Sequence, residues 1–527
     1  MLVYRDTRSS VPSVELLSEL GEWLDSEPVS IAAVIISGTL ECALADENHP
    51  AAEVARELTD VVAEAWLTNE RTPRERARSL LPTLSAPDTL AVSKPEGFAF
   101  YALDPEGFRA LAREYARESR GPCAVIGVRS IGTTLSAMVR AELSSCGVTA
   151  SRLSVRPTGH PWERSLSFDP SQEAFLERQE EDAAYIVIDE GPGLSGSTLL
   201  AVCEALKARA VPDQRIHIFC SHAPDPALLL AKDAPTRWSR FRVHAAADVT
   251  RERAPGLDLS GGSWRALCYE TEASWPGSWV EHERVKFLTP DRRELVKFAG
   301  YPPYDRVPFA HAQALAEAGF SPAVSRAAPG FLAHRWIAGR PLDRRLDRRT
   351  MLERIASYLT FRARAFQARA ADSTESLVAM TRINVAEGVR MELPPNFELE
   401  LRTPVHADGR LMPFEWVREG EHVYKTDAVD HGDDDLFPGP TDLAWDLAGA
   451  VVEWKLDAAE TDFLSREHAR LSGDDVRPRL PRYLIAYLSF RIGVLRFAAR
   501  NMAENERLKK PRRYYVERLR QALLELR

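Results

Sequence analysis

An alternation within residues 91–250 restricts the fold of this 527-residue chain most. Apolar runs "CAVIGV" (123–128), "AYIVIDE" (184–190) and "RIHIFCSHA" (215–223) are interleaved with the amphipathic stretches "TLSAMVRAEL" and "STLLAVCEALKA". Apolar strands that end in Gly-rich turns and pass into amphipathic helices predict a parallel α/β sheet. Residues 1–90 read as mainly helical, as in "SVELLSELGEWL" and "AAEVARELTDVVAEAWL". The Gly-, Ser-, Pro- and Trp-rich stretch 251–280 reads as a linker. From 281 to 527 the pattern changes to α+β, with long helical segments at the end. The expected layout is therefore a helical region 1–90, an α/β domain 91–250, a linker 251–280 and a second domain 281–527.

Composition removes several function classes. A hydrophobic fraction of 45% and a charged fraction of 28% are those of an ordinary soluble globular chain. The net charge of −9 argues against general nucleic-acid binding, which favours a basic surface. The longest apolar runs, such as "IAAVII" at 31–36, are too short to span a bilayer. The opening "MLVYRDTRSS" lacks the apolar core of a signal peptide, so the cytoplasm is expected. Six cysteines (42, 123, 146, 203, 220 and 268) have no CxxC spacing and read as reduced, mostly packed thiols.

The stretch "YIVIDEGPGLSGSTLL" (185–200) carries the most chemistry. Ligands of a parallel sheet sit outside the carboxyl ends of its strands, so Asp189 and Glu190 stand at the mouth of a cleft. Gly191, Gly193 and Gly196 let the next backbone turn sharply and aim its N–H groups inward. Ser195, Ser197 and Thr198 add hydroxyls, and the helix that starts there favours an anion at its N-terminus. Acids beside a phosphate cradle suit a sugar phosphate, the loop taking phosphate and the acids taking hydroxyls, directly or through Mg²⁺. A capped, Gly-rich turn without ligand is the plain alternative.

The same stretch resembles the phosphoribosyl-pyrophosphate (PRPP) motif of type I phosphoribosyltransferases, with "SGST" at 195–198 matching its phosphate loop. "DEGPGLSGST" looks most like the divergent members found in bacterial tellurium-resistance-type gene clusters, and is one residue longer than the common pattern. The resemblance implies Gly193, Leu194, Ser195, Gly196, Ser197 and Thr198 as the PRPP loop, with Asp189 and Glu190 as catalytic and metal-binding acids. Upstream, "VIGVRSIGTTLSAMV" (125–139) looks like the family's pyrophosphate loop, with Arg129 as the cation and Ser130, Gly132 and Thr133 around it. In "RLSVRPTGHPWERSL" (152–166), Arg156, His160 and Arg164 are candidates for a flexible hood over pyrophosphate, or a solvated basic loop. The implied reaction displaces pyrophosphate from ribose C1, with positioning and charge neutralisation as the main sources of rate. "KPEGFAFYALDPEGF" (94–108) offers aromatics either to the acceptor or to the core.

The C-terminal half resembles the aminoglycoside and choline phosphotransferase branch of kinase-like proteins. "LVKFAG" (295–300) carries Lys297 in the place of an ATP phosphate-binding lysine, and "AHAQALAEAGFSP" (310–322) would be the next helix. "VHADGRLMPFEW" (405–416) matches the catalytic loop, placing His406 and Asp408, with Asp408 implied as the base. Asp427 in "YKTDAVDH" falls nineteen residues later, where the family keeps a metal-binding acid. "TDLAWDLAGA" (441–450) supplies Asp446 as a structural support. Pro413 stands where an Asn metal ligand is expected, so Glu415 and Asp430 are alternative ligands. The helix after Lys297 has no Glu partner at the usual place, and "SGGSW" (260–264) is only a weak nucleotide loop. The acid run 433–435 reads as a solvated turn.

The combined expectation is a parallel-sheet phosphoribosyltransferase domain followed by an α+β kinase-like domain. It would use Mg²⁺, PRPP and a small-molecule acceptor, with ATP for the second module. Two alternatives stay open: a PRPP-binding regulator with a degenerate kinase domain, and a kinase whose phosphoribosyltransferase domain is inactive. Oligomeric state is left open.

Overall fold

A computed structural model describes residues 8–119, 121–248, 251, 256–344, 348–368, 373–432, 434, 436–437 and 439–526. The described residues divide into two units: 8–251 with 301–303, and 256–300 with 304–526.

In the N-terminal unit, β1 (Ser9–Pro12) leads into α1 (Ser13–Leu24), α2 (Ile31–Asp46), α3 (Ala52–Thr68) and α4 (Arg71–Leu80). These helices belong to the same unit as the sheet rather than forming a separate region 1–90. The reason is the composition of α2, "IAAVIISGTLECALAD", most of which is buried. A helix apolar on every side needs cover on every side. One cover is the helix Ile131–Ser145: a Cβ on Gly38 would overlap the Thr134 hydroxyl, so only glycine allows that approach.

β2 (Thr89–Val92), α5 (Glu96–Ala99) and α6 (Pro105–Glu118) lead to the central sheet. Its strands are β3 (Cys123–Val128), β4 (Ala150–Val155), β7 (Ala184–Ile188), β8 (Ile216–Cys220) and β9 (Arg242–Ala245). They pair in the order β4-β3-β7-β8-β9, and every pair is parallel. β3 and β8 are buried throughout, as expected of strands covered on both faces. From β3 the chain goes to β4 on one side, through α7 (Ile131–Ser145), and then to β7 on the other. This reversal is a switch point, where open α/β sheets form their ligand crevice. A hairpin of β5 (Thr158–His160) and β6 (Glu163–Ser165) and helix α8 (Pro170–Glu177) precede β7, and α9 (Ser197–Ala208) follows it.

The C-terminal unit starts earlier than a linker over 251–280 allows. Leu257–Asp258 forms β10, which pairs with β11 (Lys286–Leu288). Arg265 is buried and donates to Glu504 at 3.0 and 3.1 Å. A composition that looks like a linker thus supplies a strand and a buried ion pair. The antiparallel sheet runs β10-β11-β12-β14-β13, with β12 at Glu294–Phe298, β13 at Val324–Ala328 and β14 at Phe331–Arg335. A helix, Arg306–Glu317, joins β12 to β13. The remainder is mainly helical, with a small three-stranded sheet (Arg340–Pro341, Trp416–Glu419 and His422–Lys425) and a two-stranded pair (Pro404–Val405 and Thr441–Asp442), and Trp445, Tyr483 and Tyr487 are fully buried at its core. Among the described residues no helix is long and apolar enough to cross a membrane. All six cysteines are free.

Candidate functional site

In the N-terminal unit the loop after β3 and the loop after β7 lie side by side, because Gly127 pairs with Ile188 in adjacent parallel strands. Glycine makes this closeness feasible. A Cβ on Gly132 would stand 2.6 Å from the Ile188 carbonyl oxygen. Ser130, which caps α7, has φ 100°, a conformation unusual for a residue with a side chain and concentrated at functional sites. Gly193 and Gly196 have φ 57° and 71°, and Gly196 caps α9.

The two acids end β7. Asp189 accepts the Glu190 N–H at 2.9 Å. Loss of water pushes its carboxyl up to about 7, against the pull of that N–H and of Arg156 and Arg164. Gly97 of α5 packs on Glu190, since a Cβ there would sit 2.8 Å from the carboxylate carbon. Phe98, Phe100 and Phe108 nearby are buried, which makes them core rather than acceptor surface.

The other predicted residues divide. Leu194 is exposed, and Ser195 and Ser197 donate to the Pro161 carbonyl at 2.8 and 2.6 Å, so the β5–β6 hairpin rests on the loop after β7. His160 is exposed in that hairpin, and Arg164 donates to Pro157 at 3.3 Å. Thr198 is half-buried in the first turn of α9. Gly132 and Thr133 are buried, and Thr133 Oγ1 has no hydrogen-bond partner among the described residues. Arg129 and Arg156 both turn to Asp46 at the end of α2. Arg129 donates to it at 3.3 Å and to Ala45 O at 3.0 Å; Arg156 donates to its two oxygens at 3.1 and 2.6 Å. Two neighbouring guanidinium groups need a counter-ion, and Asp46 supplies one. Burial would raise the Asp46 carboxyl, but Arg156, then Arg8 and Arg129, hold it below the usual range. Nothing in the local pattern of "ECALADENHP" marks Asp46 for that role.

In the C-terminal unit a cavity of about 130 Å³ lies under the five-stranded sheet. Leu259, Trp264, Ile337 and Phe414 give it an apolar part, while Lys297, Glu415, Asp427 and Asp430 give it a charged part. Trp264 stacks on Phe414 with centroids 5.8 Å apart. "SGGSW" therefore contributes a wall through Trp264, but the Gly262 N–H is taken by Glu283 at 2.8 Å.

Lys297, on β12, is the centre of the charged part. Its Nζ lies 2.5 Å from Asp427 Oδ1 and 2.5 Å from Asp430 Oδ2. Asp430 is thus, with Asp427, an ion-pair partner of Lys297. In the helix Arg306–Glu317, His311 stacks on Phe366 at 4.0 Å. Burial opposes charge on all three groups, yet their mutual attraction keeps Lys297 protonated and holds both acids below their ordinary range. Asp434, within the acid run expected to be solvated, is buried and accepts the Leu436 and Phe437 N–H groups; positions 433 and 435 lie outside the described residues.

Asp446 accepts the backbone N–H groups of Asp408 at 2.8 Å and Gly409 at 3.0 Å, fixing the backbone at 408–409. Asp408 itself is fully buried. It accepts from the Tyr358 hydroxyl, and Lys425 Nζ stands 3.3 Å away. Burial raises its carboxyl despite Lys425 and Arg362. Arg362 ties two loops together, donating to His406 O at 2.6 Å and Ala428 O at 2.7 Å. Tyr358, Arg362 and Lys425 were not singled out by the sequence, where each sits in an ordinary helix or strand pattern.

Glu415, two residues beyond Pro413, takes Arg410 Nε at 2.6 Å and Lys425 at 3.1 Å. Its carboxylate, that of Asp427 and a ring nitrogen of His431 all lie within 4.8 Å of one another, a donor set compatible with a divalent cation.

No family model matches the sequence, and no curated protein matches it. Among solved structures it is similar to a choline/ethanolamine kinase family protein from Mesorhizobium loti, at 17% identity over 45% of this chain and 90% of that chain, TM-score 0.29. Choline kinase LicA from Streptococcus pneumoniae matches at 14% identity over 46% of this chain and 90% of that one, TM-score 0.32. A thermostable mutant of aminoglycoside phosphotransferase APH(4)-Ia matches at 11% identity over 46% and 90%, TM-score 0.26. Likenesses this distant carry no argument, and the side chains of this protein must carry it instead.

Proposed function

We propose that the C-terminal unit is an ATP-dependent phosphotransferase for a small-molecule hydroxyl, and that the N-terminal unit binds PRPP and transfers its phosphoribosyl group. The observation that carries the first half is Lys297, which spans a cavity with one apolar and one charged part and meets Asp427 at 2.5 Å. The apolar part suits a nucleobase. Lys297 suits the phosphates once its acids turn to a bound cation, whose chemistry is to neutralise charge on the transferred group. In that reaction the bond from acceptor oxygen to the γ-phosphorus forms as the bond to the leaving ADP oxygen breaks, and Asp408 takes the hydroxyl proton.

A second reading, nucleotide binding without transfer, is favoured by the burial of Asp408 and its ion pair with Lys425 at 3.3 Å. Proton acceptance there requires Lys425 to withdraw. Calorimetry with ATP, followed by a phosphate-transfer assay over a panel of alcohols and amino alcohols, decides between them. Binding with transfer supports the first reading and binding without transfer the second; absence of both sinks the assignment.

For the N-terminal unit the supporting observation is the adjacency of the loops after β3 and β7 at the switch point, with Asp189 and Glu190 between them. The acids fit Mg²⁺ and ribose hydroxyls, and the first turn of α9 fits the 5-phosphate. Transfer forms a bond from the acceptor to ribose C1 as the bond to pyrophosphate breaks. PRPP titration, followed by pyrophosphate release in a metabolite screen, tests it. A protein that fails to bind PRPP has no such activity.

A further inference from the structure

We propose that Glu415, Asp427 and His431 form a site that prefers a first-row transition-metal dication over Mg²⁺, with His431 as the ligand that sets the selectivity. The site deepens the phosphotransfer reading given above, and its role in transfer rests on that reading; the binding of metal does not. Three observations converge. First, the three donor atoms lie within 4.8 Å of one another, and His431 Nε2 is 4.0 Å from Glu415 Oε1. Two ligands each about 2.0–2.2 Å from one ion can be at most about 4.4 Å apart; the 4.0 Å between His431 and Glu415 meets that limit, and the 4.8 Å bound on the whole set needs closure by a few tenths of an ångström. Second, His431 Nε2 is buried and has no hydrogen-bond partner among the described residues. A buried ring nitrogen left without a partner is costly, and a metal ion satisfies it.

Third, the backbone holds the donors in place. Gly409 presses on the His431 carbonyl and Gly432 on the Ala407 carbonyl, closer than any Cβ would permit. Asp427 has φ 50°, in the left-handed region. Glu415 is fixed by Arg410 and Lys425, and carboxylate oxygens keep further lone pairs for a cation. The residue types decide the metal. Mg²⁺ demands oxygen ligands in a near-ideal octahedron, whereas an imidazole nitrogen favours first-row transition dications such as Fe²⁺, Ni²⁺ or Zn²⁺; Mn²⁺, the weakest binder of that series, serves as the paramagnetic probe.

The full-length protein, stripped with a chelator, should be titrated with Mn²⁺ and followed by electron paramagnetic resonance without nucleotide. Pulsed measurements then look for imidazole ¹⁴N coupled to the bound ion. Expected is bound Mn²⁺ with nitrogen coupling, displaced at least tenfold less effectively by Mg²⁺ than by Co²⁺. His431→Gln should abolish the coupling and weaken that Mn²⁺ site at least tenfold. The coupling in the unaltered protein needs no variant, so a misfolded variant does not remove the test, and it separates this site from any oxygen-only site at Asp189 and Glu190. Mn²⁺ bound without nitrogen coupling, or no Mn²⁺ bound, overturns the inference. ATP binding measured in parallel separates the two readings. ATP bound without nitrogen-coupled Mn²⁺ defeats only this site, while nitrogen-coupled Mn²⁺ without ATP defeats only the phosphotransferase reading.

Discussion

Replacing Lys297 by Met keeps the length of the side chain and removes its charge. In the native protein one ammonium group serves two carboxylates, both at 2.5 Å, and the lysine side chain is 7% exposed. Removing one partner of a buried ion pair costs about 3–5 kcal/mol, because the charge left behind is neither hydrated nor neutralised. Two acids are stranded here; Asp430 keeps Arg284 at 3.5 Å and Asp427 keeps the more distant attraction of Lys286, so a loss within that range, about 4 kcal/mol, is expected. Adding Asp427→Asn and Asp430→Asn removes the stranded charges and should restore about half of the loss. The pH dependence has a definite sign. Lys297 holds both acids below their ordinary range, so in the native protein they stabilise above the unfolded value of about 3.9 and lose this as pH falls through the folded values. Without the lysine, burial and mutual repulsion raise both acids, so the deficit of the variant is greatest near neutral pH and shrinks towards pH ~4 as they protonate. Hydrogen exchange by mass spectrometry on peptides covering 294–298 and 425–432 reads this locally, with peptides of the parallel sheet as the internal control. A deficit below about 1 kcal/mol, or one that grows on acidification, refutes the reasoning.

Asp189→Asn with Glu190→Gln should weaken PRPP binding by about 1–3 kcal/mol per lost charge-assisted contact, measured by calorimetry. Because burial raises Asp189 to about 7, Mg²⁺–PRPP affinity should fall up to about tenfold per unit below pH 7 and level off above it, and Asp189→Asn should flatten that profile. Asp46→Asn releases Arg129 and Arg156 from their internal counter-ion, so pyrophosphate should bind about tenfold tighter, the worth of one charge-assisted hydrogen bond of about 1.5 kcal/mol; equal or weaker binding shows that these arginines do not serve an anion site. Gly432→Ala drives a Cβ into the Ala407 carbonyl and should cost about 1–3 kcal/mol in chemical denaturation, along with nitrogen-coupled Mn²⁺ binding.

Local pattern was enough to determine the parallel sheet and the place of its loops. The strands of "CAVIGV" and "AYIVI" are short apolar runs, and the turns after them are written in glycine, so chain and sheet agree residue by residue. The resemblance to kinase-like proteins, rather than local pattern, put Lys297 on a strand and Asp446 in a supporting role; Lys297 lies on β12, and Asp446 holds the backbone of Asp408. Tertiary structure alone decided who neutralises whom. Asp46 meets Arg156 across 110 residues of sequence, Lys297 meets Asp430 across 133, and Arg265 meets Glu504 across 239. A charged side chain carries no local mark of its partner, since Coulomb attraction in a poorly solvated interior depends on where two distant loops come to rest. For the same reason residues 1–90 read from sequence as a helical region of their own, while the apolar circumference of α2 commits it to the core beside α7. The periodicity of a segment specifies what it forms, and the burial of its faces specifies what it must touch.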